Sequence, residues 1–598
     1  MSMLHQRRRF GWLLLAALIL PILAACGGAA TTPGASAPAA STAAASAAAS
    51  EAAASTAASA PASAEPATES PAASTATGSA GNNILRVHQP NVISVADPQQ
   101  SSYSAEIMIL SLTYEGLTKL DSNLQAVPAA AESWEFNDDA TAMTFTLRSG
   151  LKYSDGSPLT SERFRYAVQR TCDPAVAGSY QSILFEIVGC EEFASTPVTD
   201  TAAYEAARDA LGVQAPDERT LVLNFNRPAP YYTYISGLWV MYPAKQELIE
   251  AGGPNWWQDP TKQIGNGPFQ FTEYAEEQQS SFVANENYWE GRPKLDGIEL
   301  VYQQNRSVAL EAFRQGDLDI VQPDPEALAQ IRSDAALSDQ LLFYPGANTF
   351  QLAFNLSLEP FNDKKVREAF SYAFDRATFC EIVRGDCVPT VSWIPKGIPG
   401  YVETDLYSYD PEKAKQALAE STYGSAASLP PIKLSYNASD PANQPRMEWI
   451  AGQYRDILGI EMTLDPIEQK AFTEARNDPA TFPQAAAFMN WYQDYPDPQN
   501  WLSLLWTCTS RFARNQHYCN PEFDELVRQG DTNTDQAKRI QFYEQAHQLL
   551  LNDLIGPNLY NVANVFLVNP AVTGYTPTSS DSEIPGQWGS LLTIDVTR

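Results

Sequence analysis

Basic side chains and histidines are scarce in this chain of 598 residues. It has 39 Lys and Arg against 70 Asp and Glu, a net charge of −31, and four histidines. Phosphate contacts need clustered Lys and Arg, so this balance excludes nucleic-acid binding by electrostatics. The Gly-x-Ser-x-Gly, His-Glu-x-x-His and phosphate-loop motifs are also absent. We therefore expect a protein that is not an enzyme and that holds no cofactor or metal.

The N-terminal apolar run is too short to span a membrane. It covers residues 11–25, whereas a spanning helix needs roughly 20 residues. Arg7, Arg8 and Arg9 precede it, and Leu-Ala-Ala-Cys-Gly ends it at residues 23–27. A basic stretch followed by a short apolar run is typical of a secretory signal. The end of the run resembles the bacterial lipobox, whose Cys is acylated and becomes the mature N-terminus. We interpret residues 1–25 as a signal peptide and Cys26 as a lipidation site; an ordinary signal with an incidental Cys is the alternative.

The next segment has no Leu, Ile, Val or aromatic residue from residue 27 to residue 83. With nothing to bury, it cannot offset the entropy lost on ordering. We expect residues 26–83 to form a disordered tether. Its r.m.s. span would be about 40 Å, from roughly 5–6 Å times the square root of the residue count.

Residues 84–598 have the composition of a packed protein, and they are too many for one core of roughly 250–300 residues. At least two lobes are expected. Six cysteines fall here as three close pairs, which we expect to form disulfides outside the reducing cytosol: Cys172/Cys190, Cys380/Cys387 and Cys508/Cys519. Other pairings remain open. A zinc site is the rival, but there is no Cys-x-x-Cys and few His.

Local patterns mix helices and strands without strict alternation, which indicates an α/β protein. Alternating residues predict a hairpin over 133–147. Thr160 and Asp363 are predicted N-caps, and Asp410 precedes a proline at the first position of another helix. Gly459 is the predicted stop after a helical apolar stripe that begins at Met447.

Several blocks, in order along the body, resemble the extracellular solute-binding proteins of family 5, the oligopeptide- and dipeptide-binding proteins of ABC importers. They are Tyr-Glu-Gly-Leu at 114–117, Ala-Glu-Ser-Trp at 131–134, Leu147–Thr160, Gly-Asn-Gly-Pro-Phe at 265–269, Asn287–Asp296, Leu-Ala-Phe-Asn at 352–355, Val366–Arg376 and Asp-Tyr-Pro-Asp-Pro at 494–498.

The resemblance implies a type II periplasmic-binding-protein fold, in which two lobes close about a hinge on a ligand. The first lobe would comprise residues 84–115, 215–302 and 560–598, with an inserted subdomain at 116–214. The second lobe would comprise residues 303–559. The implied partners are a small-molecule ligand, an ABC permease and, through the lipid anchor alone, the membrane; we expect a monomer.

The same resemblance implies binding residues. Asp494, in Trp-Tyr-Gln-Asp-Tyr, would pair with a peptide's α-ammonium. The backbone of Asn490 and Tyr492 would bond the peptide main chain as an added strand does, and Trp491 would wall a side-chain pocket. Tyr180 and Tyr560 are further ligand candidates.

This sequence differs from the family pattern at the residues that hold the carboxylate of a bound peptide. Some tripeptide-binding members of the family hold the ligand's C-terminal carboxylate with Arg and His, whereas Phe488 and Met489 stand here where a basic residue is expected. An oligosaccharide or other small-solute receptor is therefore an alternative on the same fold. A sensing or chaperone lipoprotein without a transport role is the other alternative.

Overall fold

A computed structural model describes residues 83–598. The predicted signal peptide, Cys26 and all but the last residue of the predicted tether lie outside the described residues. Within 83–598, no helix is both long and apolar enough to cross a bilayer.

The strands, in chain order, are β1 (Ile84–Gln89), β2 (Thr118–Leu120), β3 (Ala126–Pro128), β4 (Ala131–Phe136), β5 (Ala142–Leu147), β6 (Val213–Asp217), β7 (Thr220–Asn224), β8 (Phe269–Ala275), β9 (Gln279–Ala284), β10 (Gly297–Tyr302), β11 (Ile320–Val321), β12 (Leu341–Pro345), β13 (Asn348–Phe354), β14 (Cys387–Pro389), β15 (Ile432–Asn437), β16 (Met462–Ile467), β17 (Ala485–Tyr492), β18 (Asn558–Val568), β19 (Val572–Thr573) and β20 (Asp595–Val596).

The α-helices are α1 (Ser104–Thr113), α2 (Ser161–Thr171), α3 (Cys190–Ala194), α4 (Thr201–Asp209), α5 (Tyr232–Ile235), α6 (Gln246–Gly252), α7 (Arg306–Gln315), α8 (Leu328–Ser333), α9 (Lys364–Ala373), α10 (Arg376–Thr378), α11 (Pro411–Glu420), α12 (Asn443–Leu458), α13 (Gln469–Arg476), α14 (Pro498–Trp501), α15 (Ser503–Trp506), α16 (Arg511–Asn515), α17 (Pro521–Thr532) and α18 (Gln536–Asp553).

Local capping explains where several helices begin and end. Asp363 accepts the Lys365 N–H at the start of α9. Asp410, just before the proline that opens α11, accepts the N–H groups of the two residues after that proline. Gly459 ends α12 in the left-handed conformation that glycine adopts at low cost. Thr160 is the N-cap of α2 by position, but its side chain makes no capping hydrogen bond.

A twelve-stranded sheet joins both lobes. Its order is β16-β15-β17-β13-β18-β11-β1-β10-β9-β8, with β12 and β14 also paired to β18. Strand β18 is antiparallel to all four of its partners: its first half pairs with β13 and β14, and its second half with β12 and β11. This strand therefore connects the two halves of the sheet.

A separate four-stranded sheet, in the order β4-β5-β7-β6, forms a subdomain of the first lobe. Strand β7 lies between β5 and β6 and is antiparallel to both. The sheet therefore extends to Asn224, past the predicted subdomain end at residue 214. The reason is that the strand after the β6–β7 turn is an inner strand of this sheet and does not belong to the twelve-stranded one.

The hydrophobic core is divided in the same way. The first lobe packs around a cluster formed mainly by residues between 85 and 302 and between 566 and 596. The second lobe packs around two clusters drawn mainly from residues 352–560 and a smaller one drawn mainly from residues 309–337. Tyr495 of the second lobe is buried in the first core, and Leu124 of the first lobe is buried in the second. The lobes thus contact each other at these two side chains.

The cysteines are joined as Cys172–Cys190, Cys380–Cys387 and Cys508–Cys519. This is the nearest-neighbour pairing expected from the sequence. Each bond closes a short loop, with sequence separations of 18, 7 and 11 residues.

Candidate functional site

A cavity of about 650 Å³ lies between the two lobes. First-lobe segments at 102–121 and 234–242, the second-lobe residues 492–496 and the C-terminal segment 579–593 line it. Its volume falls within the roughly 300–1,000 Å³ of small-ligand sites. It is the candidate binding site.

Asp494 lines this cavity just after the end of β17. One carboxylate oxygen accepts the Tyr180 hydroxyl at 3.4 Å, and the other accepts the Asn500 side-chain amide at 2.9 Å. Burial raises the pKa of Asp494, while these two hydrogen bonds act in the opposite direction. No cationic side chain of residues 83–598 pairs with it, so its charge is left for a partner from outside.

Asn500 positions Asp494. Its side-chain oxygen accepts the Asp494 N–H at 3.1 Å and the Trp491 indole N–H at 3.0 Å. Asn500 is itself fixed in α14, because the preceding Asp497 caps that helix and forms two hydrogen bonds of 2.9 Å with Arg539. Both members of this ion pair are fully buried. The Asp-Pro sequence thus builds a rigid turn that supports the carboxylate.

Tyr180 and Tyr492 also line the cavity. The Tyr180 ring packs edge-on against Trp239, with centroids 5.0 Å apart. Burial and the nearby Asp494 raise the pKa of Tyr180 to about 12, so its hydroxyl remains a donor at neutral pH. Tyr492 is 54% exposed, which leaves its ring free to contact a ligand.

Asn490 and Trp491 do not line the cavity. The Trp491 ring packs against the second-lobe core, and Asn490 lies opposite Phe350 in the pairing of β17 with β13. On its other edge, β17 pairs with β15 only at Ala485 and Ala486. Within the described chain, the backbone from 487 to 492 therefore has no strand on that edge.

Tyr560 is placed away from the cavity. It is fully buried in the second-lobe core, stacked on Phe350 with centroids 4.9 Å apart. The Arg384 guanidinium covers its ring and donates to its hydroxyl at 3.3 Å. Tyr560 thus packs in the core here, because this residue of β18 lies between β13 and β14, and its ligand role stays a prediction.

Sequence reasoning missed the first-lobe charges at the cavity. Glu115 accepts hydrogen bonds from the Tyr288 hydroxyl and the Trp289 indole, and Lys119 lies 3.8 Å from it. Lys119 also forms an ion pair with Glu290. Glu115 and Glu290 stand inside blocks already noted for their family resemblance, so that signal was available. The C-terminal lining at 579–593 carries no such pattern.

Two lobes joined by a shared sheet, with a ligand-sized cavity between them, define a solute-binding protein of the type II periplasmic-binding-protein fold. The chain belongs to the bacterial extracellular solute-binding proteins, family 5, whose sequence model matches residues 125–513. Both the family resemblance and the predicted fold are thus confirmed.

The relatives include peptide-binding proteins. The chain is 27% identical over 518 residues to the dipeptide-binding protein DppE of Bacillus subtilis, covering 83% of this chain and 90% of the relative. It is 28% identical over 493 residues to the periplasmic oligopeptide-binding protein OppA of Escherichia coli, covering 80% and 87%. The unliganded open form of the periplasmic murein tripeptide-binding protein MppA superposes with a TM-score of 0.75 at 24% identity, covering 86% and 97%. At that identity the likeness establishes the fold alone.

Proposed function

We propose that this chain is the extracytoplasmic substrate-binding lipoprotein of an ABC importer, and that it captures peptides between its lobes for delivery to a permease. The observation that carries the proposal is the Asp494 carboxylate, which lines the cavity without a cationic partner among the described residues. Relatives named for dipeptide and oligopeptide binding support the choice of ligand class.

In this proposal Asp494 accepts the α-ammonium group of the peptide. A charge-assisted hydrogen bond in a cavity shielded from water is stronger than one between neutral groups. A ligand without that cation leaves the carboxylate desolvated and unpaired, which disfavours binding. Tyr180, at 3.4 Å from the same carboxylate, would orient it.

The edge of β17 that has no described partner would accept the peptide main chain. The backbone groups of Tyr492, which lines the cavity, and of Asn490, which lies beyond it on the same edge, would then pair with an extended ligand that continues along β17, as in strand addition. Main-chain pairing of this kind does not depend on side-chain identity, which suits a receptor for varied peptides. The predicted lobe boundaries, with chain crossings near residues 303 and 560, belong to the same proposal, and so does closure about them.

Lipid attachment at Cys26 and a tether over residues 26–83 would hold the body near the membrane. The three Arg residues, the short apolar run and the Leu-Ala-Ala-Cys-Gly sequence of the N-terminal segment support this part of the proposal. Cys26→Ser is expected to move the protein from the membrane fraction to the soluble fraction of expressing cells. Retention of that variant in the membrane fraction would exclude Cys26 as the anchor.

Calorimetric titration of the mature chain with three ligands tests the ligand class. Tri-alanine is expected to bind most tightly, N-acetyl-tri-alanine, which lacks the ammonium, is expected to bind measurably but more weakly, and cellotriose is expected not to bind. Tight binding of cellotriose with no response to tri-alanine would favour the oligosaccharide alternative.

A further inference from the structure

The cavity is lined by more acidic than basic side chains. Its carboxylates are Glu115, Asp121, Glu290, Asp494 and Glu583, whereas Lys119 is its one cation among the lining residues of the described chain. Lys119 is already paired with Glu290. A ligand in the cavity therefore contacts a mainly acidic surface, because the ammonium group of Lys119 is already paired with a carboxylate.

Most of these carboxylates have partners that account for them. Glu115 is bonded by two first-lobe side chains and lies near Lys119. Asp121 is only partly buried, and one of its oxygens accepts the N–H groups of Asn123 and Gln125 within a tight turn. Asp494 is assigned above to the ligand ammonium.

Glu583 is different. It is only 7% exposed, and the Ser104 hydroxyl, at 2.6 Å from one carboxylate oxygen, is its one hydrogen-bond donor among residues 83–598. The Gln89 amide nearby completes no hydrogen bond, and Arg306 donates to the Pro323 carbonyl at 3.3 Å and not to this carboxylate. Burial raises the pKa of Glu583, whereas the Ser104 hydroxyl, the nearby Gln89 amide and the charge of Arg306 act in the opposite direction. A desolvated carboxylate without a cation in hydrogen-bond contact is costly unless one joins it.

Glu583 and Asp494 belong to segments that touch each other. The Gln493 side chain donates to the Ser580 hydroxyl at 2.9 Å, and the Gln322 side chain donates to the Ser582 carbonyl at 3.1 Å. The Gln493–Ser580 hydrogen bond thus ties the C-terminal segment that carries Glu583 to the segment that carries Asp494, and both carboxylates line the same cavity.

We propose that Glu583 is a second cation subsite, which receives the ammonium or guanidinium group of a Lys or Arg side chain of the bound peptide. The ligand class is then basic peptides, with one cation at Asp494 and another at Glu583. This inference rests on the proposed peptide function. Its physical basis is that each unpaired carboxylate of the cavity gains a partner only when the ligand supplies one.

The test compares lysine with norleucine, which has nearly the same shape but no ammonium. Six tripeptides are titrated calorimetrically, with lysine or norleucine at one of the three positions and alanine at the others. The proteins are wild type, Glu583→Gln and Asp121→Asn. In Glu583→Gln the amide oxygen can still accept the Ser104 hydroxyl, and in Asp121→Asn it can still accept the two N–H groups of the turn. Both variants therefore remove one charge from the same wall and preserve its hydrogen bonds.

At one position, wild type is expected to bind the lysine peptide at least about tenfold more tightly than the norleucine peptide, as for a charged hydrogen bond. Glu583→Gln is expected to bring that ratio close to one and to bind the norleucine peptide as wild type does, which shows that the fold is intact. Asp121→Asn is expected to change the ratio by no more than about fivefold, as for a screened charge.

Two results would overturn the subsite: no lysine preference in wild type at any position, or a preference that Glu583→Gln retains. These are distinct from failure of the proposed function. If wild type binds none of the six peptides, peptide capture itself is wrong.

Discussion

Replacing Asp494 with Asn should separate ligand recognition from folding. The substitution keeps the shape of the side chain and an oxygen that can accept the Tyr180 hydroxyl or the Asn500 amide. It removes the charge that would pair with the ligand ammonium. Affinity for tri-alanine should therefore fall, while the empty protein remains folded.

The structure sets the size of the effect. Asp494 is partly exposed to the cavity and its bond from Tyr180 is long, at 3.4 Å, so it is not a sealed ion pair. The range for losing a charged hydrogen-bond partner, about 1–3 kcal/mol, then applies, rather than the larger cost of breaking a fully buried pair. Affinity should drop by about 5- to 150-fold.

A double-mutant cycle in calorimetry measures this coupling directly. Wild type and Asp494→Asn are each titrated with tri-alanine and with N-acetyl-tri-alanine. Asp494→Asn should weaken binding of the free amine by about 1–3 kcal/mol and leave the acetylated peptide unaffected. Asp121→Asn, the matched control on the same wall, should show little coupling to the ammonium.

Stability of the unliganded protein supplies the second half of the test. Burial raises the pKa of Asp494 above its ordinary value, so the ionised carboxylate destabilises the empty fold as the pH rises above about 4. Asp494→Asn should therefore melt at the same temperature as wild type or higher at about pH 7. Equal tri-alanine affinity in both proteins, or a loss of affinity accompanied by a large fall in melting temperature, would refute the assignment.

Three further predictions concern the supporting structure. Arg539→Met leaves the fully buried Asp497 unpaired, so urea denaturation should show a free energy of unfolding lower by about 3–5 kcal/mol, partly recovered when Asp497→Asn is added. A loss below about 1 kcal/mol, the value of a surface pair, would contradict this. Burial raises the pKa of Asp531 to about 6, so its stabilising contribution is complete below about pH 4 and is lost as the pH rises to about 6. The melting temperature of Asp531→Asn relative to wild type should then rise across that window, and a constant difference would count against the pKa. Replacing Cys172 and Cys190 by alanine should lower the free energy of unfolding by about 3 kcal/mol in urea, as for a loop of this length, whereas unchanged stability would argue that the bond is absent in solution.

Features encoded in a few neighbouring residues were predicted well. The caps at Asp363 and Asp410 and the stop at Gly459 were confirmed, because each depends on a side chain and backbone groups within about one helical turn. The bounds of the lobes and subdomain cannot be predicted in this way and stay predictions, since strand pairing decides to which sheet β7 belongs. Pairing over long sequence separations leaves no local pattern.

The candidate site shows the same contrast. Asp494 and Tyr180 were chosen from family resemblance, and the fold brings them together although 314 residues separate them. Tyr560 was chosen in the same way, yet its direction on β18 depends on which partners cover each face of the strand. Glu583 could not be found from the sequence, because its candidacy as a binding residue depends on its burial beside Ser104, which is 479 residues away.

Native mass spectrometry of the protein purified gently from its own cells tests the central claim most directly, since the ligand is then chosen by the cell and not by the experimenter. We expect a population carrying short peptides, identified by fragmentation, that is much smaller in Asp494→Asn. Bound oligosaccharide in place of peptide, or peptide retained equally by Asp494→Asn, would contradict it.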